Sequence, residues 1–85
     1  MVFFAITRTG YNELVAVLGS VPSPLWVNAG VLASEEVTDL ESRGISVTSF
    51  TVDVTSSFDR YATALDTIWQ HHQHEKLWAE YFAEP

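Results

Sequence analysis

Hydrophobic residues recur along the chain with a spacing that alternates between that of a strand and that of a helix. Residues 2–6 form an unbroken apolar run, which is typical of a β-strand covered on both faces of a parallel sheet. Apolar residues then follow at helical spacing, and Gly19 favours the end of that helix. These helical positions are Tyr11, Leu14, Val15 and Leu18. The N-terminal part of the chain therefore predicts a strand followed by a short helix.

The middle of the chain repeats this order of elements. Residues 25–28 begin with a short apolar run that predicts a second strand. Ser34 is a candidate N-cap of a second helix, which Arg43 and Gly44 are suited to end. Residues 45–54 are rich in β-branched and aromatic side chains and predict a third strand. The apolar positions change phase within it, which indicates either burial on both faces or a β-bulge.

The apolar stripe changes side within the final predicted helix, which follows the candidate N-caps 55–57 and extends toward residue 82. The apolar residues of 58–72 cluster on one side at about 100° per residue. A second stripe points to roughly the opposite side. It consists of Leu77, Trp78, Tyr81 and Phe82. Since one straight helix on one sheet cannot bury both stripes, either the helix breaks near Gln73 or its distal half packs on another chain.

The order β-α-β-α-β-α predicts an α/β fold with a small, mostly parallel three-stranded sheet and a long C-terminal helix. The strands are expected over 2–7, 25–28 and 45–54, with the first in the centre and the spatial order 2-1-3. The alternative is an α+β fold in which the third strand pairs antiparallel at an edge. A chain of 85 residues is expected to form one domain over 1–85, in which 73–85 is a candidate helical extension for oligomerisation.

Composition narrows the classes of partner and chemistry. Four Lys and Arg residues against eleven Asp and Glu give a formal charge of −7, so the chain lacks the basic surface that nucleic-acid binding requires. A basic protein is the partner that this charge favours. The absence of cysteine excludes disulfides, thiolate metal sites and thiol catalysis. No apolar stretch has the length of a signal sequence or a membrane span, so we expect a cytoplasmic protein that does not contact a membrane.

Polar residues follow the predicted strands at their carboxyl ends, where open parallel sheets bind ligands. Arg8 and Thr9 follow the first strand, Asn28 ends the second and Asp53 lies near the end of the third. Arg8 and Thr9 could bind an anion at a helix N-terminus, and Asp53 could act as a general base. The sequence contains none of the glycine-rich phosphate-binding motifs and no nucleophile elbow.

A histidine cluster lies in the predicted final helix. On a helix, His71 and His74 would share a face with Glu75, a spacing that can bring ligands to one metal ion. No second group of ligands is evident in the sequence, so we predict neither a metal site nor a cofactor.

The sequence favours a non-catalytic interaction or accessory module that acts as a homo-oligomer, most simply a dimer. Its expected contact surface is the second stripe, from Leu77 to Phe82, because large aromatic side chains anchor interfaces. Glu80, which lies within this stretch, is expected to contribute little. The alternative is a small-ligand or anion-binding domain, or a minimal enzyme, with its site at the carboxyl ends of the strands.

Overall fold

The computed structural model describes residues 1–83, which form three helices and a four-stranded parallel sheet. The strands are Val2–Ala5 (β1), Leu25–Val27 (β2), Val47–Ser49 (β3) and Leu77–Ala79 (β4). The helices are Arg8–Leu18 (α1), Ser34–Ser42 (α2) and Phe58–His71 (α3). The spatial order is β3-β2-β1-β4, and every neighbouring pair is parallel. The predicted α/β class is confirmed, and the alternative with an antiparallel third strand is wrong.

The prediction of three strands in the order 2-1-3 is wrong. β2 lies between β1 and β3, while β1 lies between β2 and the additional strand β4. All three residues of β2 are buried, as an interior strand requires. β3 is far shorter than the predicted 45–54, and Thr48 and Ser49 are exposed on it. The apolar alternation of residues 45–54 changes phase near these two polar residues, which belong to an edge strand.

The predicted long C-terminal helix is also wrong, because α3 ends at His71. The chain turns through His74, whose φ of 71° lies in the left-handed region. It then runs beside β1, where the amide of Val2 donates to the carbonyl oxygen of Lys76 at 2.8 Å. Residues 73–83 contain no helix, and residues 84 and 85 of the predicted extension lie outside the described part of the chain. The second apolar stripe therefore belongs to a strand and the segment after it.

The sheet separates two clusters of buried side chains. The cluster on the α3 face consists of Val2, Phe4, Ile6, Trp26, Val54, Tyr61, Ala64 and Ile68. The cluster on the face of α1 and α2 consists of Ala5, Tyr11, Leu25, Val27, Val31, Leu32, Leu40 and Val47. Consecutive residues of β1 and β2 thus contribute to opposite faces, which explains why both strands are apolar throughout.

The ends of the helices follow most of the predicted signals. Ser57, one of the candidate N-caps, accepts a hydrogen bond from the amide of Arg60 at 3.1 Å. Gly19 ends α1 with a φ of 79°, a conformation that glycine adopts without steric cost. Ser34 is the first residue of α2 rather than its cap, which is Ala33. No helix within residues 1–83 is long and apolar enough to cross a membrane.

Candidate functional site

Asn28 and Asp53, two of the predicted ligand-binding residues, meet at the carboxyl end of the sheet. Nδ2 of Asn28 donates to Oδ1 of Asp53 at 3.0 Å and to the carbonyl oxygen of Ile6 at 3.1 Å. Oδ1 of Asn28 accepts from the amides of Ala29 at 2.8 Å and Val54 at 2.9 Å. With only 4% of its surface exposed, Asn28 joins the ends of β1 and β2 to the segment before α3.

The carboxylate of Asp53 is held by fixed hydrogen-bond donors. Its Oδ1 accepts from the hydroxyl of Thr55 at 2.6 Å and from the amide of Thr55 at 2.9 Å, in addition to the bond from Asn28. These bonds, led by the Thr55 hydroxyl, lower the pKa of Asp53 to about 2. A general base works best with a pKa near the operating pH. The environment of Asp53 therefore suits a structural anion better than a base.

Arg8 is directed to α2 and pairs there with an acidic residue. Its Nη1 donates to Oε1 of Glu36 at 2.8 Å and to the carbonyl oxygen of Val31 at 3.1 Å. The hydrogen bond to Glu36 raises the pKa of Arg8 and lowers that of Glu36. The guanidinium also lies 5.3 Å from the ring centre of Tyr11. Thr9 is exposed in the first turn of α1. Of the four predicted ligand-binding residues, only Asn28 and Asp53 therefore contact each other, and the four do not line one pocket.

The N-terminus of α1, where the sequence predicted an anion site, holds the carboxylate of Glu80. Oε1 of Glu80 accepts from the amides of Ile6 at 2.9 Å and Thr7 at 3.1 Å. Oε2 accepts from the hydroxyl of Thr7 at 2.7 Å. A helix N-terminus attracts negative charge through its free amides and its dipole. The chain thus supplies its own anion, and these bonds do not fit the expectation that Glu80 contributes little.

Gly10 leaves the space that the Glu80 carboxylate fills. A Cβ atom at Gly10 would overlap that carboxylate. Two hydrogen bonds also fix the main chain of Glu80. Its amide donates to the carbonyl oxygen of Phe4 at 2.9 Å, and its carbonyl oxygen accepts from the Tyr61 hydroxyl at 2.8 Å. Burial, followed by the charge of Glu80, raises the pKa of Tyr61. A glycine in the first turn of a helix is the sequence signal that could have indicated a close approach here.

The four predicted interface residues divide into two pairs. Leu77 and Phe82 are half-buried and pack against the cluster on the α3 face. The ring of Phe82 stacks on that of Tyr61 with centres 5.1 Å apart. Trp78 and Tyr81 have 57% and 84% of their surfaces exposed. Trp78 and Tyr81 therefore supply most of the side-chain surface that these four residues offer to another molecule.

An open groove of about 280 Å³ lies beside β4 on the face that α1 covers. Trp78 forms one wall, and Leu14 and Val17 of α1 form the other. Val17 is 84% exposed, although it is apolar. Within residues 1–83, the outer edge of β4 pairs with no strand. An apolar groove and a free strand edge thus lie side by side.

The histidines do not converge on one point. Because α3 ends at His71, His74 does not share a helical face with it. Nδ1 of His71 donates to the carbonyl oxygen of Thr67 at 2.9 Å, while both ring nitrogens of His72 are hydrogen-bonded. Among the residues described, no group of three or more His, Asp and Glu side chains is placed to hold a metal ion.

The chain matches no protein-family model, and it has no significant match among characterised proteins or solved structures.

Proposed function

We propose that the chain is a non-catalytic interaction module that acts as a homo-oligomer and uses residues 77–82 as its contact surface. The observation that carries this proposal is the outer edge of β4, which pairs with no strand in the described part of the chain and beside which Trp78 is 57% exposed. A strand edge presents unpaired amide and carbonyl groups and is a ready template for pairing with another chain. Tryptophan and tyrosine are enriched among the residues that anchor interfaces.

The two edge strands of the sheet differ in polarity, and this difference supports β4 as the contact surface. β3, at one edge, exposes the polar side chains of Thr48 and Ser49. β4, at the other edge, consists of Leu77, Trp78 and Ala79, none of which is a charged or proline residue of the kind that usually protects an edge, although Lys76 and Glu80 flank it. An edge strand of apolar residues favours contact with a partner over contact with water.

The alternative, a ligand site or minimal enzyme at the strand ends, receives less support. Arg8 is paired with Glu36, and the amide of Asn28 is hydrogen-bonded at both of its polar atoms. The carboxylate of Glu80 fills the N-terminus of α1. The polar groups at this edge thus bind one another, which leaves little for a ligand to recognise.

The net charge of −7 acts against the approach of two copies. Salt screens such repulsion, with a Debye length of about 8 Å at physiological ionic strength. Self-association through an apolar surface should therefore strengthen as salt is added. Association with a basic protein would weaken under the same change.

Sedimentation equilibrium of the wild type, Trp78→Ala and Trp69→Ala tests the proposal. Trp69 is the matched control, because it is also 57% exposed but lies on α3. We expect an oligomeric wild type, a dissociation constant raised at least about tenfold by Trp78→Ala, and little change from Trp69→Ala. A mass of one 9.5 kDa chain at every micromolar concentration would overturn the proposal. Equal dissociation by both variants would overturn the assigned surface.

A further inference from the structure

We infer that two copies of the chain pair antiparallel through β4, with a twofold axis at Trp78, and form one continuous eight-stranded sheet. This inference rests on the proposed function, since it specifies how the self-associating surface works. It follows from the direction of the β4 main chain, from the charges on either side of Trp78 and from the groove beside it.

The main-chain groups of β4 alternate between β1 and the outer edge. Lys76 accepts a hydrogen bond from the amide of Val2 at 2.8 Å, and the amide of Glu80 donates to Phe4 at 2.9 Å. Because successive residues of a strand direct their main-chain groups to opposite sides, Leu77 and Ala79 direct theirs outward.

The two outward residues define a register for self-pairing. In an antiparallel pair, two residues directly opposite each other can exchange both of their N–H···O=C bonds. If Leu77 of each copy faces Ala79 of the other, both residues of both copies are paired and four hydrogen bonds form. A register that places Leu77 opposite itself leaves Ala79 outside this pairing. The register that uses both residues puts Trp78 on the twofold axis, opposite its own copy.

The same register brings opposite charges together. With Trp78 on the axis, Lys76 of each copy lies opposite Glu80 of the other, since both are two positions from the axis. The carboxylate of Glu80 keeps its bonds at the N-terminus of α1, so the two residues attract each other through their charges across the pair and not through a direct hydrogen bond. Oppositely charged residues directly across an antiparallel pair stabilise it, whereas like charges destabilise it. The segment Lys76–Glu80 is therefore complementary to its own reverse. This local complementarity favours a second copy over a basic partner, despite the acidic charge of the whole chain.

The groove beside β4 accommodates the aromatic side chains at the axis. Trp78 is in register with Phe3 of β1 and forms the groove wall opposite Leu14 and Val17. In the paired sheet, two copies of Trp78 are neighbours on this face, with Cα atoms about 4.5 Å apart in a pair that is not hydrogen-bonded. Aromatic cross-strand pairs are among the more stabilising ones.

Substitution of Ala79 tests the main-chain pairing. Ala79→Pro removes an amide that faces outward, while the bonds of Lys76 and Glu80 to β1 remain, and proline is tolerated on edge strands. Ala79→Ser keeps the amide and is the matched control. We expect Ala79→Pro to raise the dissociation constant by about 100-fold or more, since two of the four hydrogen bonds are lost. Ala79→Ser should leave it within about threefold.

Cross-linking tests the register, because the chain has no cysteine of its own. Trp78→Cys places two thiols on the axis, within the Cα separation of about 4.4–6.8 Å that disulfides require. Ala79→Cys places them two positions off, with Cα atoms roughly 8 Å apart, beyond the usual limit. Because Trp78→Cys also removes the aromatic side chain at the axis, both variants are oxidised at a concentration above the dissociation constant of Trp78→Ala. There we expect a covalent dimer from Trp78→Cys and little from Ala79→Cys.

The register can also be tested without any substitution, by measuring nuclear Overhauser effects between copies in a mixture of isotope-labelled and unlabelled wild type. Contacts between the Leu77 amide of one copy and the Ala79 amide of the other are expected. A dimer without these contacts, or one in which Ala79→Cys cross-links as well as Trp78→Cys, would overturn this register and leave the proposed function standing. A monomeric wild type would overturn both. If Ala79→Pro failed to fold, the wild-type contacts would still decide.

Discussion

Trp26 donates the hydrogen of its indole Nε1 to Nε2 of His72 at 3.0 Å. Since an indole N–H can only donate, Nε2 of His72 is the acceptor. The proton of the neutral ring then lies on Nδ1, which is 2.9 Å from Oε2 of Glu75. This hydrogen bond lowers the pKa of Glu75. The three side chains thus connect β2 to the end of α3 and to the turn before β4.

The tautomer of His72 is a direct consequence of this arrangement. We expect the neutral ring to carry its proton on Nδ1, because Trp26 occupies the lone pair of Nε2. The ¹⁵N chemical shifts of the imidazole ring measure this directly. His74 provides the internal comparison for these chemical shifts, because Trp26 donates its indole hydrogen to His72 and not to His74. A proton on Nε2 of neutral His72 would contradict the bond from Trp26.

Trp26→Phe should lower the free energy of unfolding by at least about 1 kcal/mol, since it deletes the donor to His72 and leaves a smaller ring in the core. Trp69→Phe is the control. Trp69 is 57% exposed, so its substitution should change stability by no more than about 0.5 kcal/mol. Urea unfolding of both variants at one protein concentration measures the difference. Equal losses would mean that neither the hydrogen bond to His72 nor the larger ring of Trp26 adds measurably to the stability of the fold.

The interior of the sheet could be predicted from the sequence because its signals are local. The unbroken apolar runs of β1 and β2 indicated strands that are covered on both faces, and the parallel arrangement followed from the helix-length connections. The meeting of Asn28 with Asp53 followed in turn, since the carboxyl ends of parallel strands share one edge of the sheet.

The strand order and the role of Glu80 could not be predicted because they depend on contacts between distant residues. Leu77–Ala79 has the composition of a helix as much as of a strand, and only its pairing with β1 decides between them. Glu80 binds Ile6 across 74 positions of sequence, and no periodicity reports such a contact. The reversal of the apolar stripe after His72 did indicate a break, but not the structure that follows it.

Asn28→Ala should be among the most destabilising substitutions in the chain. The amide side chain makes four hydrogen bonds at a buried position, and its removal leaves buried groups of Ile6 and Val54 without a partner. We expect a loss of at least about 2 kcal/mol in the free energy of unfolding. Asn12→Ala, on the exposed face of α1, is the control and should change stability by about 0.5 kcal/mol or less. Thermal and urea unfolding measure both.

Asp53 should contribute to the acid sensitivity of the fold. Its pKa falls from 3.8 to about 2 in the folded chain, so the folded state binds the proton more weakly than the unfolded state does. The stabilisation is therefore present above about pH 4 and is lost as the pH falls through about 2. Asp53→Asn should flatten this part of the curve of stability against pH.

The hydroxyl of Thr55 is the largest cause of the low pKa of Asp53. Thr55→Val, which deletes the hydroxyl, should therefore raise the pKa of Asp53, whereas Thr55→Ser should keep it low. A ¹³C NMR titration of the Asp53 carboxyl group measures both variants. Equal values in the two variants would assign the shift to the main-chain amide and Asn28 instead.

Gly10→Ala should change the sign of its effect according to the residue at position 80. In the wild type, a methyl group at Gly10 displaces the Glu80 carboxylate from the amides of Ile6 and Thr7. We expect it to destabilise by about 1–3 kcal/mol, even though alanine is intrinsically favoured over glycine in a helix. In a Glu80→Ala background the overlap is absent, and the same substitution should stabilise by up to about 1 kcal/mol. Urea unfolding of the wild type, the two single variants and the double variant gives the coupling energy of this double-mutant cycle. All four are measured at one protein concentration, because association would shift the unfolding midpoint. A loss of the same size in both backgrounds would mean that the methyl group meets the main chain rather than the Glu80 carboxylate.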